Sequence, residues 1–345
     1  MLDSSAVNFS ICIPIYNCGD FIGAALDSIM SQTDGGAEVI VFDGGSTDQT
    51  ETLMAGYTSI WKNIRYIRAE ARGGIDADLV TCVSYARGEF CWLFSGDDVM
   101  RPGALLRVRE YLKTGHDIYI CQHTICSKDM VFYHDHPVMQ PNELYAGDIS
   151  NADVRAEWFG RASTTEAFFS FLSGIIVRRE TWLRGDLPEA FARSCWGHVA
   201  RFFGLVNSGL KTCYVAEILL DQRGENDSFA SNGVVNRFRI GIEGYHRLAD
   251  HYFGHNSIEA FHIRRVIRNE FDILKFLLVK ILCEKFPVRE NIAELNKLVR
   301  MTYCDKSLRN LFNKAIYFGL SCRFISLLRL AYQPVKSIRR VLKRV

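Results

Sequence analysis

Short apolar runs alternate with segments of helical periodicity over the first third of the chain. The runs predict buried strands at 9–15, 38–43, 64–69, 89–94 and 117–123. The intervening segments predict helices at 19–32, 46–57, 76–88 and 101–115, where Pro102 lies in the opening turn. Strands that alternate with helices in this way indicate βαβ units and a mainly parallel sheet. The pattern therefore predicts an α/β domain.

The pattern loosens after residue 150 and then changes. Residues 167–182 fit a strand or a buried segment, 197–209 a helix ended by Gly209, and 211–229 a strand that passes into a polar loop. From residue 231 the periodicity is helical, over 234–253 and then over 257–286. We therefore expect an α/β domain over 1–230 and a mostly helical region over 231–345.

Composition narrows the class of protein. The 345 residues are 48% hydrophobic and carry a net charge of only +2, so a sizeable core is expected and a nucleic-acid partner is not. The eleven cysteines show no CxxC pairs, which favours small core residues in a reducing compartment. No apolar run is long enough to span a membrane and no export signal precedes the first strand, so we expect a cytoplasmic protein.

The last stretch of the chain, 323–345, is basic and amphipathic. It holds seven Lys or Arg residues and no acid, with leucines and isoleucines at helical spacing. Such a segment fits a helix that lies on an anionic membrane surface, or equally a solvated helix that packs on the protein.

Three polar clusters follow predicted strands: Tyr16-Asn17 after the first, "DGGSTD" from Asp43 after the second, and "SGDD" through Asp97 and Asp98 after the fourth. In open α/β sheets, ligands bind outside the carboxyl ends of the strands. Because these ends lie along one edge of the sheet, the clusters are expected to converge on one binding site.

Asp97 and Asp98 are adjacent carboxylates that repel each other unless something compensates them. Mg²⁺ or Mn²⁺ takes one or two carboxylates together with substrate phosphate oxygens. Taken alone, the pair fits a metal site and a cap for the next helix equally well.

The "DGGSTD" segment has two interpretations as well. It can be a turn that feeds a helix capped by Ser46 or Thr47, or a loop in which Asp43 reads a base while its glycines let the backbone approach the ligand. It matches neither a P-loop nor a dinucleotide-binding fingerprint.

In combination, "ICIPIYN", "VFDGGSTDQT" and "ARGEFCWLFSGDD" resemble the family 2 glycosyltransferases over roughly 8–230. The resemblance implies the GT-A fold and a nucleotide-diphospho sugar donor. Later segments, including "LSGIIVRRETW" and "DQRGENDSF", are similar to O-antigen transferases of the abequosyltransferase type, which add a deoxysugar to bacterial surface polysaccharide.

The resemblance implies a role for individual residues. The set that would bind the nucleotide sugar is Pro14, Tyr16 and Asn17 at the nucleoside, Asp43 at the base with Gly44 and Ser46 beside it, Asp76 near the nucleotide, Gly96 and Asp97 in the metal turn, and Arg223 at the diphosphate. Asp98 matches the family residue that binds the metal directly, and Asp97 would contact the ribose or the metal. Asp76 could instead cap a helix, and Arg223 could be a surface arginine.

The family usually supplies its catalytic base from a Glu-Asp pair, and here Gly197-His198 stands in that place. An imidazole can accept a hydroxyl proton at neutral pH, so His198 is the predicted base, with His123 and Glu166 as other candidates. His198 could instead be a capping or core histidine.

The family implies inverting, metal-dependent transfer to a saccharide. The acceptor would be a lipid-linked oligosaccharide at the inner face of a bacterial membrane, where the basic tail could hold the protein peripherally. Two other functions stay open. A sugar-phosphate nucleotidyltransferase would carry a basic glycine-rich loop that "PIYNCGDFIG" lacks, and a non-catalytic nucleotide-sugar-binding protein would explain the missing Glu-Asp pair.

Overall fold

The computed structural model of this chain describes residues 9–33, 36–227, 229, 232–287 and 290–321. The chain forms two compact units, Met1–Arg223 and Gly224–Val345. The boundary follows the last residue of a long strand and precedes the expected boundary at residue 230. The basic tail at 323–345 lies outside the described residues, so its amphipathic helix stays a prediction.

The first unit is built on one ten-stranded sheet. Its strands are β1 (Phe9–Ile15), β2 (Ala37–Asp43), β3 (Ile64–Arg68), β4 (Phe90–Leu93), β5 (Val99–Met100), β6 (Ile118–Cys126), β7 (Phe132–His136), β8 (Tyr145–Asp148), β9 (Ile175–Arg178) and β10 (Lys211–Arg223). Its helices are α1 (Ile22–Met30), α2 (Thr50–Ile60), α3 (Ile75–Ser84), α4 (Ala104–Leu112), α5 (Ala152–Arg161), α6 (Arg179–Arg184) and α7 (Gly197–Leu205).

The strand order in the sheet is β3-β2-β1-β4-β9-β6-β10-β5. The sheet is mixed, because it contains both parallel and antiparallel pairs. β1 pairs in parallel with both β2 and β4, and β6 pairs in parallel with β10. β9 runs antiparallel between β4 and β6. The α/β class is confirmed, and β1, β2 and β4 place their carboxyl ends side by side. The chain leaves β1 toward β2 on one side and reaches β4 on the other, which is the switch point where such sheets bind ligands.

Local predictions differ from the structure at three places. The second helix begins at Thr50 with no side-chain cap, so the predicted capping role of Ser46 or Thr47 is wrong. Helix α4 begins after Gly103, whose φ of 80° lies in the left-handed region, and Pro102 therefore precedes the helix. The apolar segment 167–182 divides into 3-10 turns, β9 and α6.

The second unit is helical, as expected. Its helices are α8 (Val234–Tyr252), α9 (Ile258–Glu270), α10 (Ile273–Lys285), α11 (Ile292–Thr302) and α12 (Leu308–Gly319). The buried carboxylate of Glu290 accepts hydrogen bonds from the amides of Val234 and Val235, both at 2.9 Å, and so satisfies the first turn of α8. Asp272 caps α10 and divides the predicted 257–286 helix in two. Among the described residues, no helix has the length and apolar character to cross a membrane.

Candidate functional site

The turns after β1 and β2 are hydrogen-bonded to each other. The amide of Asn17 donates to Ser46 Oγ at 2.8 Å, and Asn17 Oδ1 accepts from the amide of Thr47 at 2.8 Å. Asn17 has a φ of 50°, a left-handed conformation that asparagine tolerates better than most residues. This conformation aligns both of its polar groups with the neighbouring turn. Two of the predicted donor-binding clusters are therefore one rigid structure.

Asp43, the predicted base-reading residue, is fully buried at the end of β2. Its Oδ1 accepts from the amide of Ser46 at 2.7 Å, and its Oδ2 accepts from the hydroxyl of Tyr66 at 2.5 Å. Arg68 lies 4.0 Å from the same carboxylate. These contacts fix the orientation of the carboxylate before any ligand binds. The sequence did not single out Tyr66 because a tyrosine on an adjacent strand carries no motif.

Gly44 has a packing role as well as its predicted place beside the base. A Cβ at this position would lie 2.6 Å from Asp78 Oδ2, so any larger residue would displace that carboxylate. Asp78 is buried, and burial raises its pKa against opposing backbone hydrogen bonds from Gly73 and Gly74. The loop over 72–74 is thereby held against the end of β2.

Tyr16 and Pro14 belong to the same edge of the sheet. Pro14 is buried in β1, where it pairs with Phe42 of β2. Tyr16 follows the strand and is partly exposed, and the Arg72 guanidinium lies 4.1 Å from the centre of its ring. A cation stacked on an exposed aromatic ring at a strand end offers both a stacking surface and positive charge to a nucleotide.

The turn that carries the two aspartates packs directly on the end of β1. At Gly96 a Cβ would lie 2.6 Å from Ile15 Cγ2 and 2.9 Å from Cys18 Sγ, so only glycine allows this approach. Cys18 lies close enough to Asp97 to be affected by its charge. Burial raises the pKa of the Cys18 thiol most, and the charge of Asp97 raises it further. The predicted metal turn and the predicted nucleoside segment are therefore neighbours in space.

Asp98 is 2% exposed and is held at both oxygens. Its Oδ2 accepts from the hydroxyl of Ser173 at 2.6 Å, and its Oδ1 accepts from the amide of Arg223 at 2.9 Å. Burial, followed by the charge of Asp97, raises the pKa of Asp98 well above its ordinary value. The charged form of this carboxyl is thus destabilised unless a positive charge joins the pair.

The donor set suits a hard divalent cation. Both aspartates offer carboxylate oxygens, which Mg²⁺ and Mn²⁺ prefer, and the unfavourable second charge is what a cation between them would relieve. Asp97 is the more exposed of the two, and Ser95 Oγ donates to its Oδ1. The alternative in which both aspartates cap α4 is wrong, because no side chain caps that helix.

Arg223, the predicted diphosphate contact, is buried beside this turn and is not a surface arginine. Its Nε donates to the carbonyl of Asp97 at 2.8 Å, and another of its nitrogens donates to the carbonyl of Lys128. Its guanidinium also lies 5.1 Å from the ring centre of Phe21. Arg223 therefore holds the metal turn in place through backbone contacts and supplies a positive charge near the aspartates.

The hydrogen bonds of Asp76 run to the start of α7, and its predicted place near the nucleotide stays a prediction. Its carboxylate accepts hydrogen bonds from the amides of Cys195 at 2.9 Å and Gly197 at 2.8 Å. It therefore caps α7, a helix distant in sequence, and satisfies amides at the helix start. Burial raises the pKa of Asp76 against these bonds. The capping interpretation describes its observed contacts, and they position the helix that carries His198.

His198, the predicted base, is 4% exposed in the first turn of α7. Burial lowers the pKa of its imidazole to about 4, although hydrogen bonds to the backbone of Phe169 and Ser170 act in the opposite direction. Its Nε2 is buried and has no hydrogen-bond partner among the described residues. The ring is therefore neutral at physiological pH and keeps one nitrogen able to accept a proton.

The segment 165–174, most of which was predicted only as part of a strand or buried segment, connects these groups. It contributes Ser173 to Asp98, and its backbone at Phe169 and Ser170 contacts His198. The carbonyl of Ser173 also accepts from the indole of Trp92 at 2.7 Å, which fixes the segment to β4. The sequence signals here were the apolar pattern, the base candidate Glu166 and the family-like stretch that begins at "LSG". The two remaining base candidates, His123 and Glu166, lie together with His136.

Comparisons with known proteins agree with this architecture. Residues 10–172 match the family model described as Glycosyl transferase family 2. Abequosyltransferase RfbV of Salmonella typhimurium is 28% identical over 321 residues, which cover 90% of this chain and 93% of that protein. An uncharacterized glycosyltransferase of Bacillus subtilis, EpsJ, is 27% identical over 52% of this chain and 50% of its own length.

Solved structures share the fold at low identity. S. aureus TarS in complex with UDP-GlcNAc superposes with a TM-score of 0.56 at 16% identity, over 86% of this chain and 81% of that one. The mannosyltransferase PcManGT from Pyrobaculum calidifontis, in complex with GDP-Man and Mn²⁺, gives a TM-score of 0.52 at 15% identity, over 99% of this chain and 86% of that one.

Proposed function

Since this chain belongs to the family 2 glycosyltransferases, we propose that it transfers a deoxyhexose from a nucleotide-diphospho sugar to a saccharide hydroxyl in the synthesis of bacterial surface polysaccharide. Similarity to a Salmonella abequosyltransferase along nine tenths of the chain supports the sugar class. The family membership favours glycosyl transfer over nucleotidyl transfer and over binding alone. We infer a lipid-linked oligosaccharide as the acceptor, because O-antigen units are built on such carriers.

The observation that carries the proposal is the packing of Gly96 against Ile15 and Cys18. It brings the carboxylates of Asp97 and Asp98 to the turn that holds the predicted nucleoside contacts. A nucleotide bound between the ends of β1 and β2 would therefore extend its diphosphate toward the aspartates. Tyr16 would stack on the nucleoside, and Asp43 would accept a hydrogen bond from the base.

Asp97 and Asp98 would hold Mg²⁺ or Mn²⁺, which when bound would neutralise charge on the leaving diphosphate. The mannosyltransferase from Pyrobaculum calidifontis, of the same fold, is described with Mn²⁺, which supports a divalent ion here. Ser173 and the amide of Arg223 orient Asp98. Arg223 holds the turn through its hydrogen bond to the Asp97 carbonyl and adds a positive charge beside it.

We propose His198 as the group that removes the acceptor proton, with inversion at the anomeric carbon. Its Nε2 accepts the hydroxyl proton as the oxygen attacks the sugar, and the backbone at Phe169 and Ser170 holds the ring. Asp76 fixes the start of α7 and so fixes the position of the imidazole. Because the ring is buried, access to Nε2 requires the acceptor to enter beside α7.

Ligand-induced thermal shift tests the donor site directly. Nucleoside diphosphates with each base are screened with Mn²⁺ and with a chelator, for wild type and for Asp98→Asn. We expect one base to raise the melting temperature with Mn²⁺, and Asp98→Asn to remove that shift and to abolish transfer. Glu110→Gln, an exposed acid on α4 paired with Lys113, is the matched control and should behave as wild type. A metal-dependent shift that persists in Asp98→Asn would refute the assignment.

A further inference from the structure

A cluster of three potential ligands lies outside the donor turns, in the sheet-containing unit. It consists of His123 on β6, His136 on β7 and Glu166 in a 3-10 turn at Thr165–Phe168. One ligand atom from each residue lies within 4.8 Å of the others. We propose that His123, His136 and Glu166 form a second metal site, which binds Zn²⁺ or a related first-row transition ion.

The register of the sheet places two of the three proposed ligands next to each other. β6 and β7 are antiparallel, and His123 is directly opposite His136 in the register. Side chains in such a pair leave the same face of the sheet with their Cβ atoms about 4.5–5.5 Å apart. The two rings lie side by side, with centroids 4.7 Å apart. Phe171 packs on His123 with a centroid distance of 4.4 Å. The backbone register therefore places the two imidazoles on one face of the sheet, next to each other.

Glu166 completes a geometry close to that of a metal site. Its Oε1 lies 3.3 Å from His136 Nε2. Two ligands about 2.0–2.1 Å from a tetrahedral zinc ion are themselves about 3.3–3.4 Å apart. One edge of the coordination tetrahedron is thus already at its required length. The third ligand atom, on His123, lies within 4.8 Å of the other two ligand atoms.

His123 gives the second, independent reason to expect a ligand. Its side chain is 0% exposed, and neither ring nitrogen has a partner at normal hydrogen-bond distance and angle within the part of the chain that the structure describes, although the Gln222 side chain and the Cys121 backbone lie near enough to act on the ring. Glu166 Oε2 is also buried without a partner at normal geometry there, with the Thr164 hydroxyl nearby. Buried polar atoms are normally satisfied, and each exception calls for an explanation such as a bound ion. A metal between the three groups would satisfy His123 and Glu166 together.

The donor atoms decide the type of ion. Two imidazole nitrogens and one carboxylate suit zinc, cobalt or nickel, whereas an all-carboxylate pair such as Asp97 and Asp98 suits Mg²⁺ or Mn²⁺. The two sites would therefore select different metals. The new site ties β6 and β7 to the 165–174 segment, which also carries Ser173. It stands independently of the proposed transfer reaction.

Metal titration without nucleotide tests the proposal. Chelator-treated protein that carries Asp97→Asn and Asp98→Asn, so that the donor site is removed, is titrated with Co²⁺ and Zn²⁺. We expect one ion per chain, a visible Co²⁺ absorption band and a raised melting temperature with Zn²⁺. Glu166→Gln and His123→Ala should weaken uptake beyond the roughly 10–100-fold that loss of a second-shell contact produces.

His134→Ala is the matched control, since His134 is an exposed histidine on the same strand whose Nδ1 contacts the carbonyl of Asp135. It should keep wild-type uptake. Melting curves in chelator show which variants fold, and the near-isosteric Glu166→Gln decides the result if His123→Ala does not fold. The proposal is overturned if the Asp97/Asp98 variant takes up neither ion, or if uptake survives unchanged in Glu166→Gln.

Discussion

Lowering the pH from 7 to 5 should destabilise the sheet-containing unit through the buried imidazole of His198. Burial lowers the pKa of this ring to about 4 in the folded protein, whereas an unfolded histidine titrates near its ordinary value of 6.5. Between these two values the unfolded state binds a proton that the folded state does not bind. The stabilisation is therefore present above the unfolded pKa and is lost as the pH falls toward the folded pKa.

The magnitude follows from the separation of the two pKa values. Each pKa unit corresponds to about 1.4 kcal/mol, so the full loss, reached once the pH is below both pKa values, is about 3.4 kcal/mol. Evaluated with the linkage relation, the loss between pH 7 and pH 5 is about 2 kcal/mol for this one residue. Such a loss is a substantial part of the stability of an ordinary domain.

Urea unfolding at the two pH values measures the effect. All five tryptophans lie within the first 196 residues, so tryptophan fluorescence reports on the sheet-containing unit alone. Wild type and His198→Gln are compared, because the glutamine amide can still donate to the backbone at Phe169 or Ser170 but does not titrate. Groups other than His198 contribute equally to both proteins and cancel in the difference.

The free energy of unfolding of wild type should fall by about 2 kcal/mol more than that of His198→Gln between pH 7 and pH 5. His134→Gln, a substitution of an exposed histidine, should keep the wild-type response. If His198→Gln loses as much stability as wild type, the imidazole is not a buried neutral group and the reasoning fails.

Three further substitutions test buried contacts of the sheet and of the donor site. Gly88→Ala should lower the free energy of unfolding by about 1–3 kcal/mol in urea, because a Cβ would lie 2.7 Å from the backbone of β1, which cannot give way. Glu38→Gln should lower it by about 1–3 kcal/mol, since the buried carboxylate accepts hydrogen bonds from the amide and the guanidinium of Arg87. Tyr66→Phe should weaken nucleotide binding about tenfold by calorimetry, because Asp43 loses its 2.5 Å hydrogen bond, and should lower the melting temperature as well, because a buried carboxylate oxygen loses its donor.

Each of these has a matched control in the chain. Gly56→Ala on α2 adds a Cβ that meets nothing within 4 Å and should not destabilise the protein. Glu110→Gln changes an exposed acid and should have little effect on stability. Tyr57→Phe removes a hydroxyl bonded to Asp27 and should leave nucleotide affinity unchanged. Equal effects in a substitution and its control would contradict the corresponding argument.

Much of the α/β layer was predictable because its signals are local. Buried strands such as β1 and β2 are short apolar runs, and their order with the helices indicates βαβ units. The location of the polar clusters followed from the same pattern, because strands that run parallel end on one edge. Asp43 and the Asp97-Asp98 pair could be identified as candidates in this way.

What a side chain contacts was not predictable when the contact joins distant segments. Asp76 looked like a helix cap or a nucleotide ligand, and the structure uses it to cap α7, about 120 residues later. Serine is a residue type that often caps helices, but Ser46 Oγ instead accepts a hydrogen bond from the amide of Asn17. In both cases several nearby donors could satisfy the same oxygen, and only packing selects one of them.

The sequence by itself determined the periodicities, the strand ends and the residue types that can hold a nucleotide and a metal, since these depend on neighbours within a few positions. The tertiary structure decided which of those residues meet. It placed Ser173 on Asp98, buried His198 in an environment that lowers its pKa, and set His123 opposite His136 through the register of β6 and β7. Desolvation and cross-strand register depend on the whole fold, and no local pattern encodes them.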